Sequence, residues 1–445
     1  MTDDTGRDVV ISEATILETC GDRVLPEMGV VEQLWETDPI PPEEIEDRAA
    51  ACVTSFEWDD VPDGGSVAIG VGSRGIANLP TIVRGVVRGV EDAGYEPFVF
   101  PAMGGHGGAT GDGQRKKLEA LGVTPESIGC EIRSEMAVEQ VGTTADRDVP
   151  VVADANAVAA DAIVPINRIK PHTGFSGCVE SGLSKMLVIG MGKQRGAKLA
   201  HEWAVDWSFR KMIPSITERL LSELPIVGGV AIVEDQYDDT VIVEGIPSSE
   251  FLDREAELLE IAYDYMPTLP FDELDVLVVD RMGKEISGTG MDTNVIGRIH
   301  IAYEPPPERP TIGRIYVRSL TGPSHGNATA VGLADFVHAD LEAATDRTKT
   351  CINALTASAP QGSRMPPVVE TDRGGLVAAL STIGVYDPGT VRVVRVTDTM
   401  HLDRFYASAA LVEAARKRDD LRVLSEPSPI EFENERFRAP SPSTG

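Results

Sequence analysis

The chain has 445 residues, 42% of them hydrophobic, and a formal net charge of −31. Its length exceeds one ordinary core, so two domains are expected; no apolar run approaches the roughly 18 residues of a membrane helix, and the acidic charge makes nucleic acid and anionic membranes poor partners. That charge is spread along the chain, and only ten of the 40 basic residues are lysine, a composition that fits a halophilic protein kept soluble at high salt.

The N-terminus, MTDDTGRDVV, is acidic and carries no basic-then-apolar leader, which points to a cytoplasmic protein. The five cysteines form no CxxC pair, which argues against an iron–sulfur cluster, a zinc ribbon or a disulfide framework. Cys178 lies inside a glycine-rich motif and is read as a lone buried thiol.

From Gly65 the pattern alternates strand-like and helix-like segments, which implies mostly parallel sheets with helices packed on them. Residues 66–70 (SVAIG) read as a buried strand, 78–94 as a helix and 97–101 (PFVFP) as the next strand, followed by GGHGGATGDG and a helix beginning near Gln114. Residues 162–166 (AIVPI) form a further strand that runs into NRIKPHTGFSG, then an amphipathic helix spans 207–224. A strand pair is expected at 226–234 and 240–243, and a helix at 250–265. A second α/β unit opens at 274–280 (LDVLVVD), continues through 311–320 and closes at 391–397. The fold class expected is α/β, with two α/β domains and an active-site cleft between them. The domains run over residues 1–270 and 271–424, with a boundary near 268–272, and the Pro-, Ser- and Glu-rich stretch 425–445 is expected to be disordered.

Arg74, His106 and His172 each follow a predicted strand, and loops at the carboxyl ends of strands are where open α/β sheets bind ligands. Three of the seven histidines, His106, His172 and His201, lie in or beside the most glycine-rich stretches. Imidazole both gives and takes a proton near neutral pH and is a common metal ligand. Taken singly, each fits a structural histidine; together they point to a site. Glycines from Gly104 to Gly113 let a backbone approach an anion, although they match neither Walker A nor the dinucleotide fingerprint. Lys170, Lys185, Lys193, Lys198 and Lys211 are half of all the lysines, and an amine that readily loses its proton can form covalent bonds. Arg74 is placed to clamp a carboxylate or phosphate. In the second unit, Lys284 opens the run KEISGTGMD, and SHGNATAVG at 324–332 repeats the His–Gly theme.

Ser73-Arg74, MGGHGGAT at 103–110, and IKPHTGFSG…SGLSKM at 169–186 with His201 beyond resemble the nickel-pincer cofactor-dependent lactate racemase family, in a divergent branch. The resemblance implies a racemase or epimerase of a 2-hydroxy acid, lactate or larger. Its cofactor would be nickel pyridinium-3,5-bisthiocarboxylic acid mononucleotide, covalently tethered and supplied by maturation enzymes; a homo-oligomer is compatible with it. His106 and His172 would be the paired acid/bases, Lys185 the tether and His201 the nickel ligand. Arg74, Ser73, Gly104, Gly105 and Gly177 would contact the cofactor, and Arg74 and Lys284 the substrate. Seven residues separate Gly177 from Lys185, farther than in the founding pattern, which leaves Lys193 and Lys198 as alternative tethers. The founding tyrosine–glutamine pair of the second domain has no clear counterpart. The competing readings are a metal-assisted lyase or hydrolase without a tethered cofactor, and a ligand-binding protein that keeps the fold.

Overall fold

A computed structural model describes residues 10–73, 75–301 and 304–438. The protein is α/β, with helices interleaved between two mainly parallel sheets. It divides into two compact units, Thr37–Met266 and Met1–Glu36 with Pro267–Gly445.

In Thr37–Met266 the sheet order is Glu96–Pro101, Ser66–Val71, Ala162–Arg168, Gly228–Glu234, Thr240–Pro247. The first four strands are parallel and the last runs antiparallel to its neighbour, as the acidic turn at Asp238 and Asp239 leads one to expect. Counted along the chain this is the order 2-1-3-4-5. Its switch point falls between Ser66–Val71 and Ala162–Arg168, where crossovers leave in opposite directions and open a crevice at the strand ends. The strands are apolar on both faces because both are covered. Ile69 and Val164 pack beneath helices Ile45–Cys52 and Leu79–Asp92, whereas Ala68, Phe98 and Ile163 pack beneath Phe209–Glu223 and Phe251–Asp264. The amphipathic stretch expected at 207–224 begins two residues later than read. Ser208, at φ 65°, separates Lys193–Trp207 from Phe209–Glu223.

The main sheet of the second unit has nine strands in the order Val10–Ile11, Val368–Val369, Phe336–His338, Thr311–Leu320, Glu273–Met282, Val393–Val396, Arg404–Ser408, Met28–Gln33, Leu421–Val423. The first six are parallel and the remainder antiparallel. Two features differ from the sequence reading. The N-terminal residues, expected in the domain 1–270, belong to this unit, because Met28–Gln33 completes the sheet between Arg404–Ser408 and Leu421–Val423 and buries Val31. The stretch 425–438, expected to be disordered, pairs Phe432–Glu433 with Arg436–Phe437. Its anchor is Phe437, whose N–H donates to Asp372 at 2.6 Å while its ring lies 4.6 and 5.0 Å from the guanidinium carbons of Arg395 and Arg318. The rest of the expected tail, 439–445, lies outside the described residues, as do Ala302 and Tyr303.

Candidate active site

Four loops leave the carboxyl ends of the parallel strands in Thr37–Met266. They carry Ser73, the glycine-rich stretch with His106, the stretch from His172 to Glu180, and the acidic turn after Glu234. Arg74 lies outside the described residues. The switch-point topology therefore brings together three segments that the sequence spreads over more than a hundred positions.

His106 is exposed, and its Nδ1 bonds the hydroxyl of buried Ser73. A hydroxyl proton rotates, so Ser73 serves either tautomer of the ring. The loop beneath is held by glycine geometry. Gly107 sits at φ 67°, and a Cβ on Gly113 would lie 1.8 Å from the Gly107 carbonyl oxygen, so two backbones approach where no side chain fits. Gln114, fully buried, donates to the carbonyl of Gly104 at 2.8 Å and accepts from Lys193 Nζ at 3.1 Å.

Lys193 is 1% exposed; its Nζ also reaches the Pro101 carbonyl at 2.7 Å and Asp154 at 2.8 Å. Burial pulls the Lys193 pKa below its ordinary value, against the opposing pull of Asp154. This ammonium braces the strand end and, through Gln114, the His106 loop. Lys198 is different, a mostly exposed side chain beside Glu202.

The His172 loop is organised by a carboxylate that sequence reading passed over. Glu180, 1% exposed, accepts from His172 N at 2.5 Å, Gly177 N at 3.0 Å and the Tyr263 hydroxyl at 2.8 Å. Burial raises its pKa, and the three donors and nearby Lys185 counter that rise. His172 Nδ1 accepts the Gly174 N–H at 2.9 Å, so the neutral ring carries its proton on Nε2. Cys178, expected to be buried, is exposed on this loop.

Lys185 ends the helical turn Leu183–Lys185. The preceding Ser184 donates through N and Oγ to Glu255, at 2.9 and 2.6 Å. Glu255 is fully buried, and burial pushes its pKa up to about 7 against the Ser184 bonds. Helix Phe251–Asp264 thus grips the Lys185 turn through Glu255 and the His172 loop through Tyr263. His201, on Lys193–Trp207, is lowered in pKa first by burial and then by the charge of Lys185, which favours the neutral ring. A run of ring contacts joins the two histidines: His172 to Phe175 at 4.6 Å, Phe175 stacked on Phe209 at 5.3 Å, and Phe209 edge-on to His201 at 5.4 Å.

Two of the predicted backbone contacts are engaged inside the chain. The Gly104 N–H, one of those offered to an anion, donates to the Gly190 carbonyl at 3.0 Å, and the Gly177 N–H, at a cofactor contact implied by the resemblance, donates to Glu180 at 3.0 Å. Gly105 is exposed. Phe175 falls within the motif IKPHTGFSG, and Glu180 lies in the three residues between its two halves, close enough to His172 to have been noticed; Tyr263 and Glu255, some eighty residues on, carried no local signal.

In the other unit, Lys284 follows Glu273–Met282. Its N–H donates to Ser324 at 2.9 Å and its Nζ to the Gly288 carbonyl at 2.5 Å. The loop after Val393–Val396 holds a histidine the sequence reading omitted. His401 Nδ1 lies 2.8 Å from buried Asp398, which Arg281 also contacts at 2.9 Å. Asp292 N bonds Thr399 at 2.9 Å and ties the Lys284 and His401 loops together. Among the described residues, no group of three or more His, Cys, Asp or Glu side chains could hold a metal ion, and no helix is long and apolar enough to cross a membrane.

No family model matches the chain, and no curated protein does. Among solved structures, it is similar to the lactate racemase apoprotein from Thermoanaerobacterium thermosaccharolyticum, with 13% sequence identity and a TM-score of 0.43, over 88% of this chain and 96% of that one.

Proposed function

We propose that this protein is a racemase or epimerase of a 2-hydroxy acid that works with a tethered nickel-pincer nucleotide. The observation that supports the reading is that the loops of His106 and His172 leave the same end of one sheet, on either side of Ser66–Val71, while ring contacts join His172 to His201 and the charge of Lys185 reaches His201. His201 fits a metal ligand because a ligating imidazole must be neutral, the form its surroundings favour. His201 would be the chain's one donor to the metal, and the cofactor would have to bring the others. Lys185 is the tether, since Lys193 is committed to three buried acceptors and Lys198 points to solvent. When bound, the cofactor would supply a hydride acceptor for the substrate carbon.

The chain's own contribution is proton handling and orientation. His106 takes the substrate hydroxyl proton on Nε2 when its Nδ1–H donates to the Ser73 hydroxyl oxygen, and gives the proton back from Nε2 of the imidazolium, which keeps that bond to Ser73. His172 presents Nε2–H from the start, a donor to the forming carbonyl; acting as base requires release of the Gly174 bond. The two directions of interconversion therefore place different demands on the loops. Arg74 binds the carboxylate, and the substrate is lactate or a larger 2-hydroxy acid. The protein works in the cytoplasm of a salt-adapted cell, with maturation enzymes as partners.

The test uses protein purified at high salt from its own host. A mononucleotide-sized adduct on the Lys185 peptide, stoichiometric nickel, and conversion of one enantiomer of lactate or a larger 2-hydroxy acid into the other by chiral chromatography are expected. An unmodified, nickel-free chain without interconversion overturns the reading in favour of an untethered enzyme or a binding protein.

A further inference from the structure

The nine-stranded sheet and the C-terminal segment that covers it form a half-open cavity of about 280 Å³. Its wall is mostly apolar, formed by Val393 of the sheet, Leu376 of helix Asp372–Ser381, and Ile430 and Phe437 of the covering segment. Arg395, Tyr406, Ser428 and the ion pair of Glu431 with Arg438 supply polar groups. The Tyr406 hydroxyl is buried and has no hydrogen-bond partner among the described residues, a costly condition for a group that elsewhere finds a partner when buried. A largely apolar cavity with a few convergent polar groups is the usual form of a small-molecule site.

Charge narrows the ligand class. Arg395 gives Nε and Nη2 to Asp280 at 2.8 and 2.9 Å, Asp280 also accepts Arg318 Nη1 at 2.8 Å, and Arg318 holds Asp372 through its other two nitrogens. At the roof Arg438 pairs with Glu431, so three guanidiniums face three carboxylates and the wall carries no net charge; an anion gains no field by entering and a cation none by displacing them. What remains unmet among the described residues, beside the apolar surface, is the phenolic donor of Tyr406 and the Nη1 of Arg395, both suited to a neutral acceptor. We propose that this cavity binds a small, uncharged, mainly apolar molecule bearing one hydrogen-bond acceptor, such as a ketone, ester or amide carbonyl, which accepts from Tyr406. The roof is the segment after Ser425, held by Phe437 on Asp372 and the two arginines; a bound ligand adds contacts to Ile430 and Phe437 and ties the segment down.

The experiment uses the full chain at high salt and acetophenone as probe, with toluene and benzoate as comparators. Saturation-transfer NMR measures binding, and limited proteolysis follows cleavage after Ser425. Acetophenone is expected to bind more tightly than either comparator and to slow cleavage. Tyr406→Phe should weaken acetophenone by up to about tenfold and leave toluene unchanged. Ile430→Trp, which fills the cavity from its roof, should abolish binding; Val393→Met, a smaller filling, should reduce it if the tryptophan variant does not fold. No binding of acetophenone, tightest binding of benzoate, or indifference to Tyr406→Phe and the filling variant would overturn the proposal.

Discussion

The loops that carry His106 and His172 leave neighbouring regions of one sheet but are held by opposite means. The His106 loop is a backbone construction, with interlocked glycines, a buried glutamine and a buried lysine beneath, and its histidine ends in solvent on a rotatable serine. The His172 loop hangs on one carboxylate, Glu180, which collects three donors, and its histidine is fixed in tautomer by a backbone N–H. The contrast teaches that a flexible-looking, glycine-rich loop can be the better braced of two, and that a rigid loop can limit its histidine to one protonation role.

The contrast breaks most visibly at Glu180. Glu180→Ala would leave two backbone N–H groups and a tyrosine hydroxyl without their acceptor, at about 1–3 kcal/mol for each group that stays buried. Chemical denaturation should show a loss of several kcal/mol, with interconversion falling below detection; an unchanged midpoint would mean that the loop has another anchor. Lys193→Met tests the other loop. It strands Asp154 in the core, at about 3–5 kcal/mol, and a lowered Tm together with faster proteolysis at 104–113 is expected.

Glu255 sharpens the comparison through pH. Its folded pKa, raised from the ordinary 4.5 to about 7, means that the folded protein binds a proton that the unfolded chain has released. This residue's contribution to stability is therefore most favourable below pH 4.5, declines as pH rises toward 7 and is flat above, with a total change of at most about 3 kcal/mol. Glu255→Gln should flatten that part of the pH–stability profile; a variant whose profile parallels the native one would refute the assignment. The smallest effect is expected at Ser73→Ala. Losing the rotatable partner of His106 should lower kcat by about tenfold, the equivalent of one net hydrogen bond, with little change in Tm.

Much of the fold was legible locally. Runs such as SVAIG and LDVLVVD announce buried parallel strands because both faces of such a strand are covered, and the strand–glycine–histidine order places ligand loops at strand ends. The candidate residues His106, His172 and His201 stand out by residue type and glycine company, whereas Lys185 was set apart from the other clustered lysines only by the family resemblance. The destination of the N-terminal strand was not legible, because Met28–Gln33 finds its partners at Arg404–Ser408 and Leu421–Val423, far beyond any local pattern. Nor was the order of the segment after Ser425, whose polar composition hides one phenylalanine able to stack on two arginines.

Composition, strand and helix periodicity and the motif residues were thus determined by the sequence itself, since they rest on side-chain chemistry and near neighbours. Only the tertiary structure decided what each charged group does. Lys193 and Lys185 lie eight residues apart with similar surroundings in sequence, yet one is a buried brace and the other ends the turn that Glu255 supports. The difference is burial and the partners that long-range packing delivers, and for an ionisable side chain these outweigh anything its sequence neighbours set.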